Sequence, residues 1–335
     1  MALPSGIITA KPSLGKAQKA NLAPRDKRLL WPTARPDAEK RSAGGGRESL
    51  YTTLEGIGKV GYAERIAIDS ADANCYPGTG QLLSDISGNA QRDDYDFFLG
   101  LDGSAASDDP TFVGTAGDMS PNTYFLCDGG DFFQLAAGLP GWVQNVSKSS
   151  SGVFTICIMI NYIQDPVQNH TSFMGTNYPT SYAYVGFNFM IEAGSIGGGY
   201  RPSIYIGRSS TNSASDGFYN TVDNSLPAGP HMLAISFNNG SSSFYYRNGE
   251  YDQVGGADTF TPTIAANGAY DPAFRMNICS GPSITNYSPP RTNGKQIAGT
   301  KFYSCFIDNT AWTKEELDGV WAKVQPWLAT AEGTP

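Results

Sequence analysis

The sequence predicts an all-β protein: a two-sheet antiparallel sandwich with one short C-terminal helix, preceded by an extended N-terminal arm. Three observations lead there. From about residue 60 onward, short apolar runs alternate with clusters of Gly, Asn, Asp, Ser and Pro, the texture of many strands joined by turns. With 39 Gly, 18 Tyr and 17 Phe in 335 residues, the composition favours strands and turns over helix. The opening stretch has another texture, broken by Pro4, Pro12, Pro24, Pro32 and Pro36 and then by the run Gly44, Gly45, Gly46.

Prolines at such intervals interrupt helices and deny donors to a sheet, so residues 1–58 are expected to be an arm that buries no core of its own. Its one compact apolar cluster, Leu29, Leu30 and Trp31, is flanked by Arg25, Lys27 and Arg28. These six residues are the candidate docking element, ordering on a partner. The charge is divided to match. Residues 1–50 hold ten Lys or Arg against four Asp or Glu, a balance of +6, and the remainder of the net −8 is a body at −14. A basic arm on an acidic body points to a protein partner for the arm. Nucleic acid is the poorer fit, because dense Arg runs are missing and the body would repel a polyanion.

In the body, residues 59–335, the run FTICIMI alternates with period two: Phe154, Ile156, Ile158 and Ile160 fall on one face, Thr155, Cys157 and Met159 on the other. HMLAISFNNGSSSFYYRNGEYD, residues 231–252, reads as a three-stranded meander, with turns at Asn239-Gly240 and Asn248-Gly249. Near the end, Thr313 followed by Glu316 makes a capping box, Leu317, Val320, Trp321 and Val324 recur at helical spacing, and Pro326 is expected to end the helix. Cysteines 75, 127, 157, 279 and 305 show no CxxC spacing and lie mostly in apolar runs, so buried, reduced thiols are expected. The N-terminus lacks the apolar core of a signal peptide, and no run of eighteen apolar residues occurs, so cytoplasmic synthesis without membrane insertion is expected.

Four segments in order resemble the concanavalin A-like lectin/glucanase jelly roll in its laminin-G-like form. LLSDISGNAQRDD (82–94) resembles an early D-x-S-G-N turn, and YFLCDGGDFFQL (124–135) an F-D-G-x-D-x-x-x-L hairpin. Pro230-His231 opens a strand whose successor ends in the Y-x-N-G turn Tyr246–Gly249, and FIDNTAWTKEEL (306–317) is similar to the terminal strand and helix start. The resemblance implies a jelly-roll sandwich with a carbohydrate- or protein-binding face and makes His231 a strand-start anchor. An arm joined to such a sandwich resembles structural proteins of tailed bacteriophages. That layout implies a multimeric virion-surface protein, docked on capsid or tail proteins through the arm, that decorates the particle or binds host glycans. The alternative is a free lectin or glycan-active enzyme of the same superfamily.

Enzymatic chemistry finds little footing. The paired carboxylates of glycoside hydrolysis, in patterns such as E-x-D-x-x-E, do not occur, and Glu192 stands alone in its neighbourhood. His170 and His231 are the only histidines. A non-enzymatic protein without cofactor is expected; calcium, which some laminin-G-like domains bind, would fall to Asp128 and Asp131. For a ligand, the candidates are Tyr178, Tyr182, Tyr200, Arg201, Asn286 and Tyr287, in loop-like sequence where aromatic rings stack on sugars and polar groups read hydroxyls.

Overall fold

The computed structural model describes residues 46–60, 64–88, 95–136, 141–145, 153–163, 170–176, 186–193, 200–207, 217–221, 226–238, 244–253, 276–280 and 298–332. All belong to one compact unit that begins at about residue 43. The docking cluster from Arg25 to Trp31 lies outside the described residues.

In chain order the unit runs α1 (Leu50–Gly56), β1 (Arg65–Asp69), β2 (Leu82–Leu83), β3 (Phe97–Leu99), β4 (Thr111–Val113), β5 (Tyr124–Leu126), β6 (Phe133–Leu135) and α2 (Gly141–Asn145). The centre is β7 (Val153–Tyr162), β8 (His170–Gly175), β9 (Gly186–Ala193), β10 (Tyr200–Gly207), β11 (Gly217–Thr221) and β12 (Gly229–Asn238). It closes with β13 (Phe244–Arg247), β14 (Glu250–Gln253), β15 (Asn277–Ile278), β16 (Lys301–Asp308), α3 (Lys314–Leu328) and a 3-10 turn, Ala329–Glu332. The first sheet has the order β14-β13-β12-β7-β16-β5-β4, with β1 also paired to β16; the second has β11-β10-β9-β8-β15-β6-β3-β2. Every strand pairing is antiparallel, as the sequence predicts.

The core lies between the sheets and follows the period-two reading. Phe154 of β7 stacks on Phe187 of the second sheet at 5.7 Å, and Phe133 of β6 meets Phe125 at 5.2 Å and Phe302 at 5.0 Å. The opposite face of the first sheet is covered by helices. The α3 residues Leu317, Val320, Val324, Trp327 and Leu328 are buried there with Leu50 and Leu54 of α1. Thr313 caps α3 in a complete capping box with Glu316.

Three sequence expectations need correction. Helix α3 runs past Pro326 to Leu328, because Trp327 and Leu328 beyond the proline are buried and Trp327 packs edge-on to Tyr303 at 5.5 Å. Burial of two large side chains outweighs one missing N–H bond in the last turn. The segment 124–135 is not a hairpin: β5 pairs in the first sheet and β6 in the second, so the Asp128–Asp131 turn crosses between sheets. Finally, residues 46–58, which composition groups with the arm, are part of the sandwich's compact unit. Arg47 is buried, pairs with Asp69, donates to the carbonyls of Thr123 (2.9 Å) and Tyr303 (3.1 Å), and lies 4.6 Å from the Trp327 ring centre. Asp69 in turn accepts the Leu50 N–H at 2.7 Å. A second buried pair, Arg65 with Asp308, is completed by Trp312 Nε1 donating to Asp308 at 2.8 Å.

Candidate functional site: a polar row across the second sheet

In β9, Phe187, Phe189 and Ile191 point into the core, so alternation places Asn188 and Met190 on the opposite, outer face of the second sheet. Register then assembles one continuous cross-strand row on that face. Leu82 of β2 stands opposite Phe98 of β3, Phe98 opposite Gln134 of β6, and Gln134 opposite Asn277 of β15. Asn277 faces Gly175 of β8, Gly175 faces Asn188 of β9, and Tyr205 and Tyr219 hold the next two positions, on β10 and β11. At the usual inter-strand spacing the row is roughly 34 Å long.

Its centre is made of amides. Gln134 Nε2 donates to Asn277 Oδ1 at 3.4 Å, while Asn277 Nδ2 and both polar atoms of the Asn188 side chain find no hydrogen-bond partner among the described residues. Asn188 and Asn277 are each 0% exposed. Gly175 makes this arrangement fit, because a Cβ there would stand 2.9 Å from Asn188 Oδ1 and 3.0 Å from the Phe187 carbonyl. A buried amide without partners costs about 1–3 kcal/mol, and native proteins seldom keep one that a water or ligand does not satisfy. The row opens to solvent at the β2 end, where Leu82 is 40% exposed and Phe98 is half-buried.

Of the candidates from sequence, Tyr200 and Arg201 open β10 beside this face. Arg201 takes the register position opposite Glu192, and Glu192 that opposite His170. Tyr178, Tyr182, Asn286 and Tyr287 lie outside the described residues. Sequence alone does not bring the amides of the row together, because they come from segments far apart in the chain. The available signal was a lone Gln or Asn inside an apolar strand, as in FFQL, GFNFMIE and MNIC.

The calcium candidates Asp128 and Asp131 sit in the turn that crosses between the sheets. Asp128 Oδ1 accepts the Gly130 N–H at 3.0 Å, and Asp131 Oδ2 accepts the Asp128 N–H at 2.8 Å, so both carboxylates fasten their own turn. No group of three or more His, Cys, Asp or Glu among the described residues is placed to hold a metal ion. Burial, helped by the hydrogen bond and negative charge of Asp128, pushes the Asp131 carboxyl up to about 7.

His231 serves as a pin. Its Nε2 lies 2.9 Å from the Pro227 carbonyl and its Nδ1 3.1 Å from Asn248 Nδ2, so Nε2 carries the proton and Nδ1 accepts from the amide. Burial lowers its pKa and keeps it neutral. Asn248 completes the connection by accepting the Met232 N–H at 2.8 Å.

No protein-family model and no curated protein sequence matches the chain. Among solved structures it is similar to the botulinum neurotoxin serotype D binding domain (12% identity, TM-score 0.47, covering 81% of this chain and 52% of that one). It is also similar to domain 4 of AbnA, an extracellular arabinanase from Geobacillus stearothermophilus solved with arabinotriose (13%, 0.43, 78% and 98%). A third similar structure is the Trypanosoma rangeli sialidase with the inhibitor DANA (9%, 0.41, 76% and 32%). The chain thus spans about a third of the sialidase and about half of the neurotoxin domain.

Proposed function

We propose that the sandwich is a non-enzymatic glycan-binding module whose polar floor is the row through Gln134, Asn277 and Asn188. The observation that carries this reading is the pair of buried amides with unmet hydrogen-bonding capacity on a sheet face bordered by aromatic positions. Amides read sugar hydroxyls as donor and acceptor at once, and aromatic rings stack on sugar faces. Glu192 is the one carboxylate in the eight strands of the second sheet, which supports binding without hydrolysis, since glycosidases need two. A glycan array combined with a reducing-sugar assay tests it. Binding without sugar release is expected; release would overturn the non-enzymatic reading, and silence across the array would overturn the binding.

The same proposal gives the basic arm the task of fixing the module to a larger assembly, as the resemblance to phage virion proteins implies, with many copies adding weak contacts into firm attachment. Its support is the opposition of a +6 segment and a −14 body. Particles assembled with a chain lacking residues 1–45 should fail to incorporate it, and undiminished incorporation would refute the docking role.

A further inference from the structure

His231 and Asn248 lie in a chain of hydrogen bonds whose two ends are backbone groups. Met232 N–H donates to Asn248 Oδ1 at 2.8 Å, Asn248 Nδ2 lies 3.1 Å from His231 Nδ1, and His231 Nε2 lies 2.9 Å from the Pro227 carbonyl. A backbone N–H only donates and a carbonyl only accepts, so the two ends fix the direction of every bond between them. All three bonds are satisfied by a neutral imidazole and one orientation of the amide. A proton added to Nδ1 makes that nitrogen a donor facing the Asn248 NH2 group. Turning the amide over serves Nδ1 but sets the NH2 group against the Met232 N–H. Asn248 has one oxygen for two donors on opposite sides, so a charged ring breaks one link in either orientation.

The bonds at stake hold a tight turn. The β12–β13 ladder ends at the Leu233–Arg247 pair, and beyond it Asn248 ties the turn to β12 through its side chain and through its N–H, which donates to the Met232 carbonyl at 3.1 Å. Asn248 sits at φ +51°, in the left-handed region, where a non-glycine backbone depends on its surroundings for support. His231 is buried, so water is a poor substitute for a broken link. Arg247 bears on the ring with its positive charge and is itself paired with Glu250 of β14 at 3.5 Å. From β7 come Ile160, opposite His231 in register, and Tyr162, which the second sheet meets with Phe173. Of the helical elements packed against β12, α3 carries Lys314 and Asp318, bonded to each other, and the 3-10 turn carries Glu332.

We infer that His231 and Asn248 form a proton-operated latch, which holds the β13–β14 turn to β12 at neutral pH and releases it in acid. Burial lowers the pKa of His231, so the latch opens only below the ordinary histidine range. Gly249 of the turn lies against the Trp321 indole of α3, so release also uncovers Trp321 beside the edge strand β14.

The test is amide hydrogen exchange on the full chain, read as protection factors from about pH 7.5 down to about pH 5, beside an NMR titration of the imidazoles. Protection of the Met232 amide should fall at least about tenfold across the His231 titration, while the amides in the middle of β7 keep theirs. His231→Gln should remove the pH dependence. Asn248→Asp should reverse it and stands in if His231→Gln does not fold. Its carboxylate offers one oxygen to the Met232 N–H and another to the protonated ring, and aspartate tolerates the left-handed backbone. In that variant the turn should stay closed in acid, with the His231 pKa above its wild-type value. Met232 protection that does not change through the His231 titration would overturn the inference. So would an Asn248→Asp chain that opens in acid as the wild type does. A loss of protection in β7 parallel to that of Met232 would overturn it as well, because the proton would then unfold the sandwich rather than the turn.

Discussion

A chain that begins at Lys59, where composition alone would cut, should be far less stable than one that begins at Gly46. The shorter chain lacks Arg47, so buried Asp69 loses its ion-pair partner and also the Leu50 N–H. Breaking a buried pair by removing one partner costs about 3–5 kcal/mol. Losing the buried side chains of Leu50 and Leu54 removes about 1.5–3 kcal/mol each. The combined loss, on the order of 8 kcal/mol, is comparable with the whole stability of an ordinary domain. Urea unfolding of the two chains, followed by tryptophan fluorescence, measures the difference. Arg47→Met in the longer chain should reproduce the ion-pair share alone. Equal midpoints for the chains starting at 46 and 59 would refute the assignment of this segment to the sandwich.

Three further outcomes are expected. Asn188→Ala should change unfolding stability by no more than about 1 kcal/mol, because the amide makes no hydrogen bond among the described residues, yet should abolish glycan binding measured by calorimetry. His231 titrates lower in the folded chain than in the unfolded one, so the unfolded chain takes up the proton first. Stability should therefore fall as pH drops below about 6.5, and the slope should disappear in His231→Gln when urea midpoints are compared across pH. Asp131 has the opposite sign: with a folded value of about 7 and a far lower unfolded one, its contribution is present at acid pH and is lost as pH rises through 7. Asp131→Asn should flatten that loss in the same titration.

How much of this was legible depended on how local each signal was. The alternation in FTICIMI, the meander over β12 to β14, and the capping box at Thr313 are short-range patterns, and the structure follows them. The Asn248-Gly249 turn also follows them, and the reason is specific. Asn248 has φ +51°, Gly249 has φ +91°, and a Cβ on Gly249 would stand 2.9 Å from Trp321 Nε1. What could not be read was whatever depends on distant partners. Arg47 looks like one more basic residue of the arm until Asp69, Tyr303 and Trp327 surround it. The segment 124–135 looks like a hairpin because its two halves are strands, but their partners lie in different sheets. The amide row is the extreme case, since its members come from eight separate strands and only the register lines them up.

The order of strands also sets a schedule for folding. In the second sheet β15 lies between β8 and β6, and in the first β16 lies between β7 and β5, so each sheet is joined at its middle by a strand from the last quarter of the sequence. A chain emerging from the ribosome cannot close the second sheet until residue 278 is available or the first until residue 308, and until then it presents the open edges of β6 and β8 and of β5 and β7. Unpaired edges of this kind are where strands from other chains attach, and long-range pairings of this kind form slowly. Folding must therefore wait until β16 has been made, and truncation anywhere ahead of it should leave an aggregating product rather than a smaller domain.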